Sequence, residues 1–351
     1  MRAALSQPPS ERRALLFALL VVLVGAAFGV GGFYLERATS YWRPDVTRTD
    51  HGWRVLQKSR GPDGLALAGD RLAWQDGVSI LLMDLRSGRV KLLGPGPAAH
   101  ATWEPAMSDE YVVWFEAASA DSPSATAWTY DISTRRRTAV GSLDDVLSLP
   151  SVSGGRAAWC TAKSGRAPRI LSVDLDTGTS VTVASETGEP VIDGDLVVWA
   201  AHAGTSGIPG TWAVSDLAQR RRWTVVPAAS AANAHLYGYD LSGRTLVWGQ
   251  NSGESSDRIV AQSVDGGAVT VVADRIALAT APSIDGTTVV WGETATDGEG
   301  RVMGRRLGNG QPFVIAVVQG AVLATVVSGD TVAWMARSGE QTWVETASIP
   351  R

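Results

Sequence analysis

The sequence predicts an all-β fold: a seven-bladed β-propeller with one N-terminal transmembrane helix. Three observations predict it. Tryptophan recurs at the end of seven similar segments spaced 40 to 49 residues apart, the period of a propeller blade or solenoid repeat. Each segment carries two short apolar strands around a tight polar turn, which is the pattern of a hairpin. Ahead of the repeats, 22 consecutive residues from Ala14 to Leu35 carry no charge.

Composition admits such a fold. The 351 residues are 45% hydrophobic and 19% charged, enough to bury a large core. A formal net charge of −4 creates no field that would gather nucleic acid, so no nucleic-acid partner is expected. The single cysteine, Cys160, excludes an internal disulfide framework and any cysteine-rich zinc site. It lies in the apolar stretch Arg156-Ala-Ala-Trp-Cys160 and reads as a small core residue.

From the N-terminus, residues 1–13 read as a short cytoplasmic tail and 14–35 as the transmembrane helix, flanked by Arg12-Arg13 and Glu36-Arg37. At ~1.5 Å per residue that run crosses a hydrocarbon core of roughly 30 Å, and it exceeds the h-region of a cleaved signal, the alternative. Basic residues abut its N-terminal end and favour that end inside, with the remainder outside the cytoplasm. Gly25 and Gly29 form a GxxxG pair suited to close helix approach. Residues 36–50 read as linker and 51–351 as the propeller.

The seven segments are LALAGDRLAW ending at Trp74, PAMSDEYVVW at Trp114, PSVSGGRAAW at Trp159, PVIDGDLVVW at Trp199, YDLSGRTLVW at Trp248, PSIDGTTVVW at Trp291 and TVVSGDTVAW at Trp334. A valine-rich run before a large aromatic suits a strand covered on both faces, in the middle of stacked blades. A second hairpin follows each of the first six, as in SILLMDLRSGRVKLL from Ser79 and RILSVDLDTGTSVTV from Arg169. Four strands per repeat result, and the radial arrangement protects the edges. After Trp334 only a third strand fits. The strand 52–58, with Gly52-Trp53-Arg54-Val55-Leu56 resembling Arg222-Trp223-Thr224-Val225-Val226, is expected to close the ring; its alternative is linker.

The repeat resembles the TolB-like family of bacterial propellers, and in particular surface-protein repeats of the form P-x-I-x-G-D-x-V-V-W followed by a D-L-x-T-G hairpin. Pro190 to Trp199, Pro282 to Trp291 and Asp174-Leu175-Asp176-Thr177-Gly178 carry the resemblance, which covers residues 51–351. It implies the fold and leaves activity open, because such propellers host many binding roles. The Asp of that hairpin reads as a local turn device. TolB has an extra N-terminal domain where this chain has an apolar run, so a role in a Tol-type assembly is not carried over.

The search for chemistry returns no catalytic residue, no metal site and no cofactor. His51, His100, His202 and His235 show no zinc spacing, and no GxSxG elbow occurs. The acidic loops Asp297-Gly298-Glu299 and Glu254-Ser255-Ser256-Asp257 lack EF-hand spacing. The expected function is a non-enzymatic binding or scaffold propeller on the bacterial cytoplasmic membrane, contacting an envelope protein or cell-wall polymer. The alternative is a propeller-type carbohydrate-active lyase or hydrolase gathering His100, Trp103, Glu104 and Asp109 at the channel mouth. A purely structural envelope protein is a third class.

In a propeller the strand-two-to-three loops share one face with the blade connections, and the turns within hairpins share the other. The connection face holds long polar loops, Ala200 to Gly210, Gln250 to Asp257 and Glu293 to Gly300, where a small ligand is expected. The hairpin face carries Arg71, Arg86, Arg89, Arg244, Arg305-Arg306 and two triplets, Arg135-Arg136-Arg137 and Arg220-Arg221-Arg222. The triplets are the candidate face for an anionic partner; ordinary solvated turns are the alternative reading.

Overall fold

A computed structural model describes residues 44–57, 64–95, 101–122, 124–163, 165–202, 209–226, 235–251, 256–295, 299–308 and 310–350. The tail and the apolar run 14–35 lie outside the described residues. Among those described, no helix is long and apolar enough to cross a membrane. The unit from Pro44 onward consists of seven antiparallel sheets, each a blade of a β-propeller.

The first six blades follow chain order from the axis outward. Blade one is Leu65–Ala68, Arg71–Asp76, Ser79–Asp84 and Arg89–Gly94. Blade two is Ala101–Met107, Tyr111–Ala117, Ala125–Asp131 and Arg136–Leu143. Blades three to six begin at the inner strands Ser151–Ser153, Val191–Asp193, His235–Ser242 and Ser283–Asp285. Each inner strand packs on the next, and that of blade seven, Ala321–Ser328, returns to that of blade one.

Seven apolar clusters hold the ring, one at each interface between successive blades. This follows from the pleat: alternate side chains of a central strand face opposite neighbours. Thus Val112 and Trp114 pack toward blade one, while Val113 and Phe115 pack toward blade three. All seven repeat tryptophans are at most 2% exposed, and each packs against the preceding blade. Truncating one to alanine removes a side chain of the kind whose loss costs about 3–5 kcal/mol.

Blade seven is built from both ends of the unit. Its strands run Ala321–Ser328, Thr331–Ser338, Gln341–Ser348 and then Trp53–Leu56, with Arg54 opposite Glu345 and Leu56 opposite Trp343. Trp53 does what Trp223 does in blade four. The indole N–H of Trp53 donates to the Leu85 carbonyl at 2.7 Å, and that of Trp223 donates to the Val264 carbonyl at 2.6 Å, each locking an outer strand to the next blade. Gly88 (φ 69°) leaves the space that the Trp53 ring fills.

The stretch 36–50, expected as linker, is corrected at its C-terminal end. Asp45–Arg48 forms a fifth strand outside Trp53–Leu56. The cause is a turn with its own hydrogen bonds: Thr49 N–H donates to Gly52 O at 2.9 Å, and Gly52 N–H donates to the Thr49 hydroxyl at 3.1 Å. The propeller unit therefore starts before residue 51.

Candidate functional site

Among the described residues, both mouths of the central channel and a groove between two blades are large enough to bind something. The connection-face mouth encloses about 370 Å³ between the starts of the inner strands, including Glu104, Leu149, Glu189 and Tyr239. The Tyr239 hydroxyl donates to the Glu189 carbonyl. Deeper in the wall, Asp240 accepts from the Ile284 N–H and the Ser283 hydroxyl, both at 2.9 Å, and from the Leu241 N–H at 2.8 Å. Burial pushes its carboxyl above the ordinary value, against the pull of those donors.

The group proposed for the carbohydrate-active alternative is not assembled among the described residues. Trp103 packs into the cluster between blades two and three. Glu104 lines the connection mouth, and Asp109 lines the opposite mouth. Ala101–Met107 runs the depth of the ring, so residues close in sequence end on opposite faces; His100 lies outside the described residues. Much of the long connection-face loops also lies outside them. Asp257, from one of the acidic loops, is buried and accepts from Asn251 Nδ2 and Ala279 N–H, both at 2.8 Å. Glu299 pairs with Arg301 at 2.9 Å. Cys160 is fully buried, and burial raises its thiol pKa.

The hairpin-face mouth, about 390 Å³, is ringed by polar latches between successive first-hairpin turns. Each latch joins a turn glycine to the Ser or Asp before the turn glycine of the previous blade. Gly194 N–H donates to Ser153 Oγ at 2.9 Å, Gly243 N–H to Asp193 Oδ2 at 2.5 Å, and Gly286 N–H to Ser242 Oγ at 2.9 Å. Gly329 N–H donates to Asp285 Oδ2 at 2.6 Å and Gly69 N–H to Ser328 Oγ at 2.9 Å. Carboxylates at this mouth are thus partly committed to holding the ring. The sequence signal for the latches is a Ser-Gly or Asp-Gly pair before the second strand of a blade, readable only once the blades are known to be neighbours.

The arginine triplets sit at second-hairpin turns, and they do not act as blocks. Arg137 is drawn inward: its guanidinium donates to Glu116 Oε2 at 2.7 Å and to the Leu93 carbonyl at 3.2 Å, and lies 3.8 Å from the Trp128 ring centroid. Arg222 pairs with Glu186 and lies 4.8 Å from the Trp199 ring centroid. Arg137 is thus half-buried, while Arg135, Arg136, Arg220, Arg221 and Arg222 are exposed, Arg222 being engaged by Glu186. Strand alternation is the reason, since the third residue of each triplet faces the preceding blade. Elsewhere on this face Arg86 pairs with Asp70, Arg244 with Asp265, and Arg305 donates to the Val271 and Val272 carbonyls.

Arg135 and Arg220 have φ of 58° and 52°. The equivalent turn positions of blades one and three are Gly88 and Gly178, at 69° and 70°. The aspartates that open these turns are capped by their own loops. Asp131 Oδ1 accepts from Ser133 N–H at 2.8 Å and Thr134 N–H at 2.9 Å, and hydrogen bonds from Thr134 and Ser133 hold its carboxyl down to about 2.

Comparison with solved structures places this architecture among known propellers. The β-propeller domain of the Trilobed protease from Pyrococcus furiosus is similar, with a TM-score of 0.61 and 11% identity over 82% of this chain and 97% of that one. Oligogalacturonate lyase from Vibrio parahaemolyticus is similar too, with a TM-score of 0.59 and 10% identity over 88% of this chain and 97% of that one. The likeness is one of fold alone. The Pyrococcus domain is described as having an open velcro topology, whereas here Trp53–Leu56 is hydrogen-bonded to Gln341–Ser348. TolB from Acinetobacter baumannii also aligns, at a TM-score of 0.46 and 14% identity over 79% of each chain, and nothing of its role is carried over. No protein-family model and no curated protein sequence matches the chain.

Proposed function

We propose that this chain is a non-enzymatic binding or scaffold propeller, tethered to the bacterial cytoplasmic membrane through residues 14–35 with its ring outside the cytoplasm, and that its hairpin face contacts an envelope protein or cell-wall polymer. The observation that carries the reading is the backbone of Arg135 and Arg220. A side chain in the left-handed region costs about 1–2 kcal/mol relative to the right-handed one, and glycine avoids that cost in the equivalent turns of blades one and three. Arginine stands there against the local preference, and backbone strain of this kind clusters at binding sites. With Arg136 and Arg221 these side chains present exposed cations on a chain of net charge −4, so an anionic partner is attracted locally.

The test is cross-linking of intact spheroplasts with a membrane-impermeant reagent, followed by purification of the chain. A recurrent envelope protein or wall polymer is expected, with recovery reduced several-fold in the Arg135→Gln, Arg136→Gln, Arg220→Gln, Arg221→Gln variant. Recovery should also fall as salt rises, because the Debye length is about 10 Å at 0.1 M. Equal, salt-insensitive recovery in the variant overturns the arginine contact, and failure of the reagent to label the chain overturns the address.

A further inference from the structure

Among the described residues the latch pattern is interrupted at two of the seven interfaces: between blades two and three the Ser108 hydroxyl instead donates to the Gly154 carbonyl at 2.8 Å, and between blades one and two the side-chain acceptor itself is missing. Ala68 stands in blade one where blades three to seven carry Ser153, Asp193, Ser242, Asp285 and Ser328, and it has no side-chain acceptor. The matching turn of blade two, Ser108-Asp109-Glu110, has no glycine. Between these two blades the hairpin face opens into a groove of about 1070 Å³.

Blade one contributes Arg89 and Lys91 to it, two residues apart on the outer strand and therefore on one side of that strand. Blade two faces them with Tyr130, Asp131 and Arg135. The Lys91 ammonium donates to the Tyr130 hydroxyl at 2.7 Å and lies 4.3 Å from the ring centroid. Asp84 and Asp131 each have Oδ1 held by N–H groups of their own turns. Their second oxygens are thereby fixed in place, on carboxyls that turn hydrogen bonds hold below the ordinary range. Four cationic and five acidic side chains line the groove.

We propose that this groove binds a saccharide segment of an envelope polymer. A sugar hydroxyl donates and accepts at once, and here pre-positioned carboxylate acceptors lie beside lysine and arginine donors, so both demands are met within one residue's reach. Near-balance of charge means that the groove does not select by net charge, in contrast to the exposed arginine pairs. The leucine, valine and isoleucine among its lining residues, Leu82, Val90 and Ile132, are at most partly exposed, so it offers no deep apolar pockets for peptide side chains. The proposal rests on the reading that the hairpin face meets envelope material, and it names the chemistry of what is met.

The full chain in phosphatidylcholine nanodiscs is titrated calorimetrically with chitotetraose, a neutral tetramer of N-acetylglucosamine. Saturable binding is expected, weakened about tenfold or more in Lys91→Met and in Tyr130→Phe, the loss matching one hydrogen bond to a charged group. The Arg220→Gln, Arg221→Gln variant should bind like the parent, and all variants should melt like it. Absence of saturation at millimolar chitotetraose, or full affinity in Lys91→Met, overturns the proposal. Binding of polyglutamate instead, lost in Lys91→Met, makes the groove an anion site and overturns it too. The cross-linking result above is independent of these outcomes, so either reading can fail alone.

Discussion

Replacing Arg137 with methionine is expected to cost the propeller about 3 kcal/mol, while the same change at Arg136 costs under about 0.5 kcal/mol. The side chain of Glu116 is only 5% exposed, and that of Arg137 is 24% exposed. One Glu116 oxygen accepts from the Trp114 indole at 2.7 Å and the other from Arg137 at 2.7 Å. Methionine keeps most of the stem packed against Trp128 but removes the cation that faces the buried Glu116 carboxylate between blades one and two. Stranding one member of a buried pair costs about 3–5 kcal/mol, and the partial exposure of Arg137 places this case at the lower end. Against a total stability of roughly 5–15 kcal/mol that is a large fraction. Urea unfolding followed by tryptophan fluorescence measures it as a shift of the midpoint. The variant Arg137→Met, Glu116→Gln should recover most of the loss, since Gln still accepts from Trp114 and carries no charge. Equal midpoints for Arg137→Met and Arg136→Met would refute the reasoning.

Arg220→Gly should stabilise the ring by about 0.5 kcal/mol, the relief of a left-handed side chain less the extra freedom of glycine in the unfolded chain; a lowered urea midpoint would contradict the strain attributed to φ 52°. Asp240→Asn tests the channel wall through pH. Because burial raises the Asp240 carboxyl in the folded chain, its ionised form opposes folding above that raised value, and the opposition fades as pH falls through it. Asn carries no charge and keeps one acceptor, for the Ile284 N–H and the Ser283 hydroxyl, but loses the oxygen that accepts from the Leu241 N–H; that loss is independent of pH, so the stability of the variant relative to the parent should rise from pH 4 to pH 8. Parallel stability curves for the two proteins would show that Asp240 is not ionised at a cost.

What the sequence determined by itself was the repeat and its consequences. A tryptophan every 40 to 49 residues, preceded by a turn and a valine-rich strand, is local chemistry repeated, and local chemistry is readable without neighbours. The resemblance of Trp53 to Trp223 was likewise visible, because outer strands share one pattern. What only the tertiary structure decided was everything that depends on which blade a side chain faces. Arg136 and Arg137 are adjacent and chemically identical, yet one is solvated and the other is held against Trp128 and Glu116, because a strand's pleat sends successive side chains to opposite sides. Glu104 and Asp109 are five residues apart and line opposite mouths, because the strand carrying Glu104 spans the ring. The short strand Asp45–Arg48 gained its place from a partner later in the chain. The groove that brings Arg89 and Lys91 of blade one opposite Tyr130 and Arg135 of blade two likewise has meaning only once the blades stand side by side.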